Sequence, residues 1–333
     1  MSRTLALCFA FGAMSAVGLG LFWLSLSVYS PFVITRQDAF HGLFSGGQGG
    51  TQIAFVVAQL RVPRAMAAAL VGAALAMAGA LMQGITRNEL ASPSLFGVTA
   101  GAALGLALFS TELVALPLPG GAMIMTLLGG AFAWGIVFSL GKAWSVGDTQ
   151  GRLVLAGVIV AALCAALTRL TIILVEDQAQ NVLNWLAGSF ANVTYSQVGL
   201  LWPAVLIGSV LALACAPRLN LINLGDDAAR SLGVRLAGLR LLVFAVSLLL
   251  VGASVCAIGP IGFVGLVAPN MARYWLGHDY RVLVPASAAL GAVIVLASDI
   301  LARAVAFPAE TPAGVVTALV GAPFFLWLAR RSR

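Results

Sequence analysis

Charge is the scarcest property of this chain. Asp, Glu, Lys and Arg make up 9% of its 333 residues, against about a quarter in soluble domains, while 61% are hydrophobic and the mean hydropathy is +1.03. A soluble fold would have to hide nearly all of this surface in one core, which chains of this length do not do. Barrel strands would alternate polar and apolar residues, whereas these runs are apolar on every face. The sequence therefore predicts an all-α, polytopic membrane protein.

Histidine and cysteine are also scarce, which leaves little for metal or catalytic chemistry. The two histidines, His41 and His278, fall on opposite sides of the predicted membrane. No CxxC pair is present, so we interpret the four cysteines as packing residues and predict no metal site. The Gly-Lys pair at Gly141 and Lys142 lacks the spacing of a phosphate-binding loop. No cofactor is expected on this chain, and an intramembrane enzyme is disfavoured.

Ten apolar runs are long enough to be candidate membrane spans. An even number places both termini on the same side. Thirteen of the eighteen basic residues fall on that side and four on the other, so both termini are predicted to be cytoplasmic. The same rule explains the net charge of +7 without a nucleic-acid partner. The first run lacks a cleavage site and is expected to stay as a helix in a single domain, 1–333. The spans are 5–29, 65–84, 94–111, 121–140, 152–174, 197–216, 241–258, 261–276, 282–300 and 311–329.

Small residues recur every fourth position on two consecutive spans. The first series runs from Gly72 through Ala76 and Ala80 to Gly84, and the second from Gly97 to Gly105. Faces without bulk let helices approach closely. We expect two close-packed helices joined by a tight turn.

Two polar segments suggest short helices outside the spans. Segment 224–234 has Asp226 and Asp227 where a helix would begin and Gly233 where it would stop. It is either a solvated connector or a docking helix for a soluble partner. Segment 180–191 contains Trp185 and reads as a short helix near the outer surface, with Trp185 equally interpretable as an interfacial anchor.

A few ionisable residues fall within or at the ends of spans, where charge is costly and suggests a role. Arg169 could face an internal cavity, or it could pair with Glu176 or Glu112. Asp299 and Arg303 are four residues apart, so an internal pair is plausible that leaves Arg303 partly available outside.

Several longer motifs carry a resemblance to a known family. RVPR at 61–64, the run at 88–98, LGDDAARSLGV at 224–234, GPIGFVGLVAPNMAR at 259–273 and GAPFFLWL at 321–328 resemble the permease subunits of bacterial ABC importers for iron siderophores, haem and cobalamin. The resemblance covers almost the whole chain. FWLSLSVYS at 22–30 and ARAVAFPAETPAG at 302–314 are similar to a permease chain of the iron(III) dicitrate importer.

The resemblance implies a type II importer architecture in the bacterial inner membrane, with ten helices and alternating access. It implies a second permease, a periplasmic substrate-binding protein and two cytoplasmic ATPases that hold the ATP and Mg. The dicitrate resemblance favours a paralogue as the second permease, and a second copy of this chain is the alternative. Matching positions receive roles. Binding-protein docking falls to Arg61, Arg64 and Arg303. ATPase coupling falls to Leu224, Gly225, Asp226, Asp227, Ala228, Arg230, Leu232 and Gly233. The translocation path or gate receives Asn88 and Leu90 by this match, and we also assign Arg169 and Trp185 to it.

Two positions depart from the family pattern: Glu89 stands where proline is usual and Asn270 where histidine is usual. The loop at Glu89 is expected to be less rigid and to carry an extra negative charge. The runner-up function is a permease for another siderophore, haem or cobalamin. An ATP-independent secondary transporter is disfavoured, because the acidic residues gather near span ends rather than at the midplane.

Overall fold

The structure, a computed structural model, describes residues 3–30, 32–46, 51–114, 118, 120–140, 149–175, 182 and 185–331. The described residues are helical with no β-strand among them, as the sequence predicts. A π-helical turn, Val57–Arg61, joins α3 to α4, and a 3-10 turn, Pro93–Phe96, precedes α5. The α-helices are α1 Arg3–Ser27, α2 Arg36–Phe44, α3 Gln52–Val56, α4 Val62–Thr86, α5 Val98–Ser110, α6 Gly121–Leu140, α7 Thr149–Leu174, α8 Tyr195–Ile222, α9 Asp226–Ser231, α10 Leu236–Ile258, α11 Val264–Leu276, α12 Tyr280–Val305 and α13 Ala313–Arg331.

Each of the ten predicted apolar runs overlaps one of these helices over most of its length. Within the described residues, seven helices are long and apolar enough to cross a membrane. The other three are the 13-residue helices α5 and α11 and the C-terminal helix α13, whose described apolar part, Ala313–Leu326, is short. We call the end of the bundle that holds Arg61 the outer end and the end that holds Arg87 the inner end, after the predicted orientation.

Helix α4 is the centre of the molecule. In its most apolar stretch 78% of the residues are buried, against 6% in that of α1. The reason is that α4 packs against α8, α10, α11 and α12 at once. Pro63, in the first turn of α4, follows the π-helical turn directly, so its missing N–H leaves one backbone bond of that turn unmade, and the Tyr195 hydroxyl donates to the Ala58 carbonyl there at 2.9 Å. The helix ends at Arg87, which adopts a left-handed conformation with φ of 50° and donates its N–H to carbonyls of the last turn.

The small-residue faces bring backbones into direct contact. A Cβ added to Gly72 would lie 2.2 Å from the Gly291 carbonyl oxygen of α12, and one added to Gly79 would lie 1.8 Å from the Gly265 oxygen of α11. A Cβ added to Gly105 of α5 would likewise clash with a backbone carbonyl oxygen of α6, that of Met125.

The expectation that the two small-residue helices pack on each other is wrong. Helices α4 and α5 share few contacts, because each uses its bare face on another helix, α12 for α4 and α6 for α5. Periodicity identifies a face that can be approached closely, but it does not name the partner.

The short helices α5 and α11 both begin near the middle of the bundle. The carbonyl of Val98 lies beside Gly130, halfway along α6, and Gly265 lies against Leu75 and Gly79 in the central part of α4. The residues before these helices, Gly97 and Phe263, have φ of 73° and 66°. Regular helical structure is therefore interrupted twice at mid-depth.

Candidate functional site

A buried charge cluster lies at the outer end. The Arg64 guanidinium donates from Nη2 to Asp299 Oδ1 at 2.8 Å and from Nη1 to Glu310 Oε1 at 2.8 Å. Arg303 Nη2 lies 3.2 Å from the other oxygen of Asp299 and donates to the Ser25 hydroxyl at 2.7 Å. Asp299 thus pairs with two arginines. Through Arg64 and through the bond of Arg303 to Ser25, the cluster connects α12 with α4 and α1. Such pairs compensate charges that burial would otherwise make costly.

The arginines of this cluster are more buried than the sequence predicts. Arg303 is 1% exposed and Arg64 is 6% exposed, so the expectation that Arg303 is partly available outside is wrong. Arg61 is half-buried and donates to the carbonyls of Val28 and Tyr29 at 3.1 and 3.0 Å. The outward-facing charge of the cluster is the Glu310 carboxylate, whose side chain is 41% exposed.

The loop after α4 places Asn88 and Leu90 at the inner end, both half-buried. The Asn88 side chain accepts a hydrogen bond from the Leu90 N–H at 2.9 Å, which closes the loop on itself. Asn270 Nδ2 donates to the carbonyl of Glu89 at 2.9 Å. The asparagine found instead of histidine therefore anchors the loop that has glutamate instead of proline.

Behind this loop, Arg273 is 7% exposed. It donates to Asn270 Oδ1 and to Gln83 Oε1, both at 2.9 Å, and its Nε lies 3.7 Å from Glu89 Oε1. Glu89 is thus the counter-ion that faces this buried arginine. The loop is held against α11 by a carbonyl contact and by a charge.

The short helix α9 projects from the inner end. It begins at the predicted aspartates, after Gly225 with φ of 109°, and Gly233 with φ of 84° follows it. Leu224 and Leu232 are 66% and 58% exposed. Asp227, with a 99% exposed side chain, pairs with Arg230 at 3.1 Å, while Ala228 is half-buried. The helix therefore exposes one ion pair, and the residues that flank it expose two leucines.

One residue of α9 faces inward instead. Asp226 accepts from Arg240 Nη2 of α10 at 2.8 Å, and its other carboxylate oxygen lies 3.6 Å from Arg87 Nη2. Arg87 directly precedes Asn88. A chain of contacts consequently runs from α9 through Arg87 to the loop that holds Asn88 and Leu90.

The two remaining predicted path residues lie apart from these clusters. Arg169 is exposed on α7 among leucines and isoleucines and has no ion pair among the described residues; Glu176 lies outside them. Trp185 is half-buried against Gly259, where a Cβ would lie 2.1 Å from the Trp185 carbonyl oxygen. The predicted helix 180–191 falls partly outside the described residues. The described part of the chain contains no group of three or more metal-ligating side chains.

The comparisons with known proteins agree on one family. The sequence model of the FecCD transport family matches residues 17–331. The chain belongs to this family. Among FecCD relatives it is 43% identical over 312 residues to the Fe(3+) dicitrate transport system permease protein FecC of Escherichia coli, covering 93% of each chain. It is 40% identical to the hemin transport system permease protein HmuU of Yersinia pestis, covering 82% and 83% of the two chains.

A solved structure shares the fold of this FecCD chain. It is described as the inward-facing conformation of a metal-chelate type ABC transporter, is 32% identical, and superposes with a TM-score of 0.82 over 97% of this chain and 99% of its own. The membership and the apolar helices make this FecCD protein a multi-pass membrane protein.

Sequence reasoning missed three contributors to these clusters. Glu310 lies in a loop without a recognisable pattern. Gln83 and Arg273 meet although 190 residues separate them. Gln83 could have been noticed as a polar side chain inside an apolar helix. Arg273 could have been noticed as a basic residue near the end of an apolar run.

Proposed function

We propose that this FecCD chain is the permease subunit of an ATP-driven importer that moves an iron(III) chelate, iron(III) dicitrate, into the cytoplasm. The observation that supports this choice of cargo is the 43% identity, over 93% of both chains, to a permease named for Fe(3+) dicitrate. A second Fe(3+)-citrate permease, YfmD of Bacillus subtilis, is 41% identical over 285 residues.

The proposed setting is the bacterial inner membrane, with ten spans and both termini cytoplasmic. The partners are a periplasmic binding protein, two cytoplasmic ATPases that hold ATP and Mg, and a second permease. A paralogue is the favoured second permease, because this chain is also 37% identical to FecD, a permease that carries the same Fe(3+) dicitrate name.

The surfaces described above receive distinct roles in this proposal. Helix α9 is the contact for an ATPase, since it exposes an ion pair and its flanking residues expose two leucines at the inner end. Arg61 meets the binding protein together with Glu310, which Arg64 holds in place, and Arg64 and Arg303 support that surface from within. The loop at Asn88 and Leu90 closes the inner gate. Tilting of packed helices as rigid bodies then alternates access.

Arg169 is proposed to face the route of an anionic chelate and to offset its charge, with the second permease beside it. Its exposure on α7 supports this role. Unchanged uptake by an Arg169→Leu variant at normal protein level would contradict it. Trp185 is proposed to line the outer part of the same route.

Uptake by cells tests the cargo. Cells that lack their own iron-citrate importer and express this chain with its partners should accumulate radioactive iron from iron(III) dicitrate. Accumulation from a hydroxamate siderophore or haem, with none from dicitrate, would establish the second candidate. That candidate rests on 40% identity to the iron(3+)-hydroxamate permease FhuB and to HmuU.

A further inference from the structure

A small cavity lies at mid-depth where helices α5 and α11 begin. Its volume open to water is about 20 Å³, enough for one water molecule. Among its lining residues, Ser92, Pro93, Ser94 and Thr99 come from the 3-10 turn and its flanks. The remaining lining residues are Leu75, Val251, Ile261, Phe263 and Gly265.

The depth of the cavity follows from helix geometry. Leu75 lies within one turn of the midpoint of α4, which at about 1.5 Å per residue is far from either end. The neighbouring backbone contact of Val98 is with Gly130, at the midpoint of α6. Ser94 and Thr99 are therefore placed close to the centre of the membrane that these helices would span.

The hydroxyls of Ser94 and Thr99 differ from three other hydroxyls in the spans. Thr126, Ser209 and Ser254 each donate to the carbonyl four residues earlier on their own helix. Ser94 and Thr99 instead share one hydrogen bond with each other, 3.1 Å between their oxygens. A pair that shares one bond still has one hydroxyl hydrogen and several lone pairs to offer.

Lipid cannot face such a surface. Ser94 is exposed and Thr99 is half-exposed, and the backbone beside them is a 3-10 turn rather than a continuous helix. Non-helical backbone at membrane depth occurs where protein covers it or where it lines an aqueous cavity. In secondary transporters, interrupted helices at the midplane are also where substrate sites lie.

We propose that Ser92, Ser94 and Thr99 line the aqueous route and donate hydrogen bonds to the oxygen atoms of a carboxylate-rich anionic chelate at mid-membrane. The inference rests on the proposed function for the identity of the chelate. Neutral hydroxyls suit this task, because a passing anion must be bound weakly enough to leave.

Cysteine accessibility tests the placement. In a chain with Cys8, Cys164, Cys215 and Cys256 replaced, Ser94→Cys is compared with Ser209→Cys, a serine at the midpoint of α8 among exposed Leu206, Ile207 and Val210. The complete transporter is treated, during turnover, with a charged methanethiosulfonate. The thiol at 94 should react at least about tenfold faster, because an apolar setting suppresses the reactive thiolate. Equal rates at the two positions would overturn the placement.

Protection by cargo tests the contact. Saturating iron(III) dicitrate should slow labelling at position 94 several-fold. Unchanged labelling, in a preparation whose parent chain transports iron(III) dicitrate, would overturn the contact. If the parent chain transports none, the proposed cargo fails, and the comparison with position 209 still decides the placement.

Removal of the hydroxyls gives a second readout. Ser94→Ala with Thr99→Val should raise the KM for uptake about fivefold, the equivalent of roughly one hydrogen bond, at unchanged protein level. Ser94→Thr with Thr99→Ser keeps both hydroxyls and should restore it. An unchanged KM in the first variant would contradict the proposal.

Discussion

At the scale of single residues, Asp299 is the group on which the outer charge cluster depends. It is fully buried and faces both Arg64 and Arg303. Asp299→Asn would leave two buried guanidinium groups short of a counter-ion. We expect a loss of about 3 kcal/mol or more of stability, the range typical when one partner of a buried pair is removed. The thermal unfolding midpoint of the purified protein measures it.

Glu310→Gln is the matched control within the same cluster. Glu310 also binds Arg64, but its side chain is 41% exposed, so its loss should cost no more than about 1 kcal/mol. Equal destabilisation by the two variants would show that burial does not decide the strength of this cluster. The sequence could suggest the Asp299–Arg303 pair from its spacing of four. It could not suggest Arg64, which is 235 residues away.

A second residue, Asp38, should make the outer helix α2 sensitive to acid. The hydroxyls of Thr35 and Thr51 donate to its carboxylate and hold its pKa below the usual 3.8. Because the folded pKa is the lower one, the stabilisation is fully present above pH 3.8 and is lost as pH falls through the lowered value.

Hydrogen exchange of the α2 amides, corrected for the intrinsic effect of pH, measures this response. Protection should fall in acid in the parent chain, whereas in Asp38→Asn it should be weaker at neutral pH and independent of pH. A parent-like acid response in Asp38→Asn would assign the effect to another group. Asp227→Asn, at a fully exposed carboxylate on α9, should leave α2 unchanged.

At the scale of helices, the close contact of α4 with α11 should tolerate no added atom. Gly79→Ala would place a Cβ 1.8 Å from the Gly265 carbonyl oxygen, so the two backbones would have to separate. We expect strongly reduced amounts of folded protein, measured by size-exclusion chromatography of the detergent extract. Gly12→Ala on α1, where nothing lies within 4 Å, should behave like the parent. Normal folding of Gly79→Ala would mean that this contact is not close in the protein.

The same helices show what sequence reasoning can supply. Length and apolar character were sufficient to place a helix in each of the ten predicted runs, since backbone hydrogen bonds must be satisfied internally in lipid. The sequence predicts that this span begins at residue 94, whereas α5 begins at Val98, because an apolar 3-10 turn has the same composition as the first turn of a helix. The partners of the small-residue faces depend on contacts distant in sequence, such as Gly72 with Gly291, which no local pattern contains.

At the scale of the whole transporter, Arg61 is the residue of the outer cluster best suited to a charge test. It is half-buried and donates to carbonyls, and it forms no ion pair among the described residues, so Arg61→Glu breaks no ion pair of the cluster. Arg61→Glu should lower the ATPase stimulation by the binding protein, since complementary charge steers and orients association. Arg36→Glu, at an exposed arginine on α2, is the control. An unaltered response of Arg61→Glu would remove this residue from the docking surface.

The contacts between α9 and the loop at Asn88 and Leu90, the proposed inner gate, predict how ATP use is linked to transport. If ATPases move α9, Asp226 transmits that motion to Arg87 and hence to Asn88, because Arg87 ends α4 immediately before the loop. Arg87→Gln removes the charge from this link and leaves the Asp226–Arg240 bond in place. The ion pair is partly exposed and worth up to about 1 kcal/mol, so iron transported per ATP hydrolysed should fall about two- to fivefold while ATPase activity persists.

Proteoliposomes that contain the whole transporter allow both rates to be measured in one preparation. Arg218→Gln is the matched control, because Arg218 is also near the inner end but donates to its own helix, to the Ala214 carbonyl. Its transport per ATP should equal that of the parent chain. Loss of ATPase activity in Arg87→Gln would place Arg87 in the ATPase contact itself. An unchanged ratio would mean that α9 moves the gate by another route, and the Asp226–Arg240 contact with α10 would then be the next link to break.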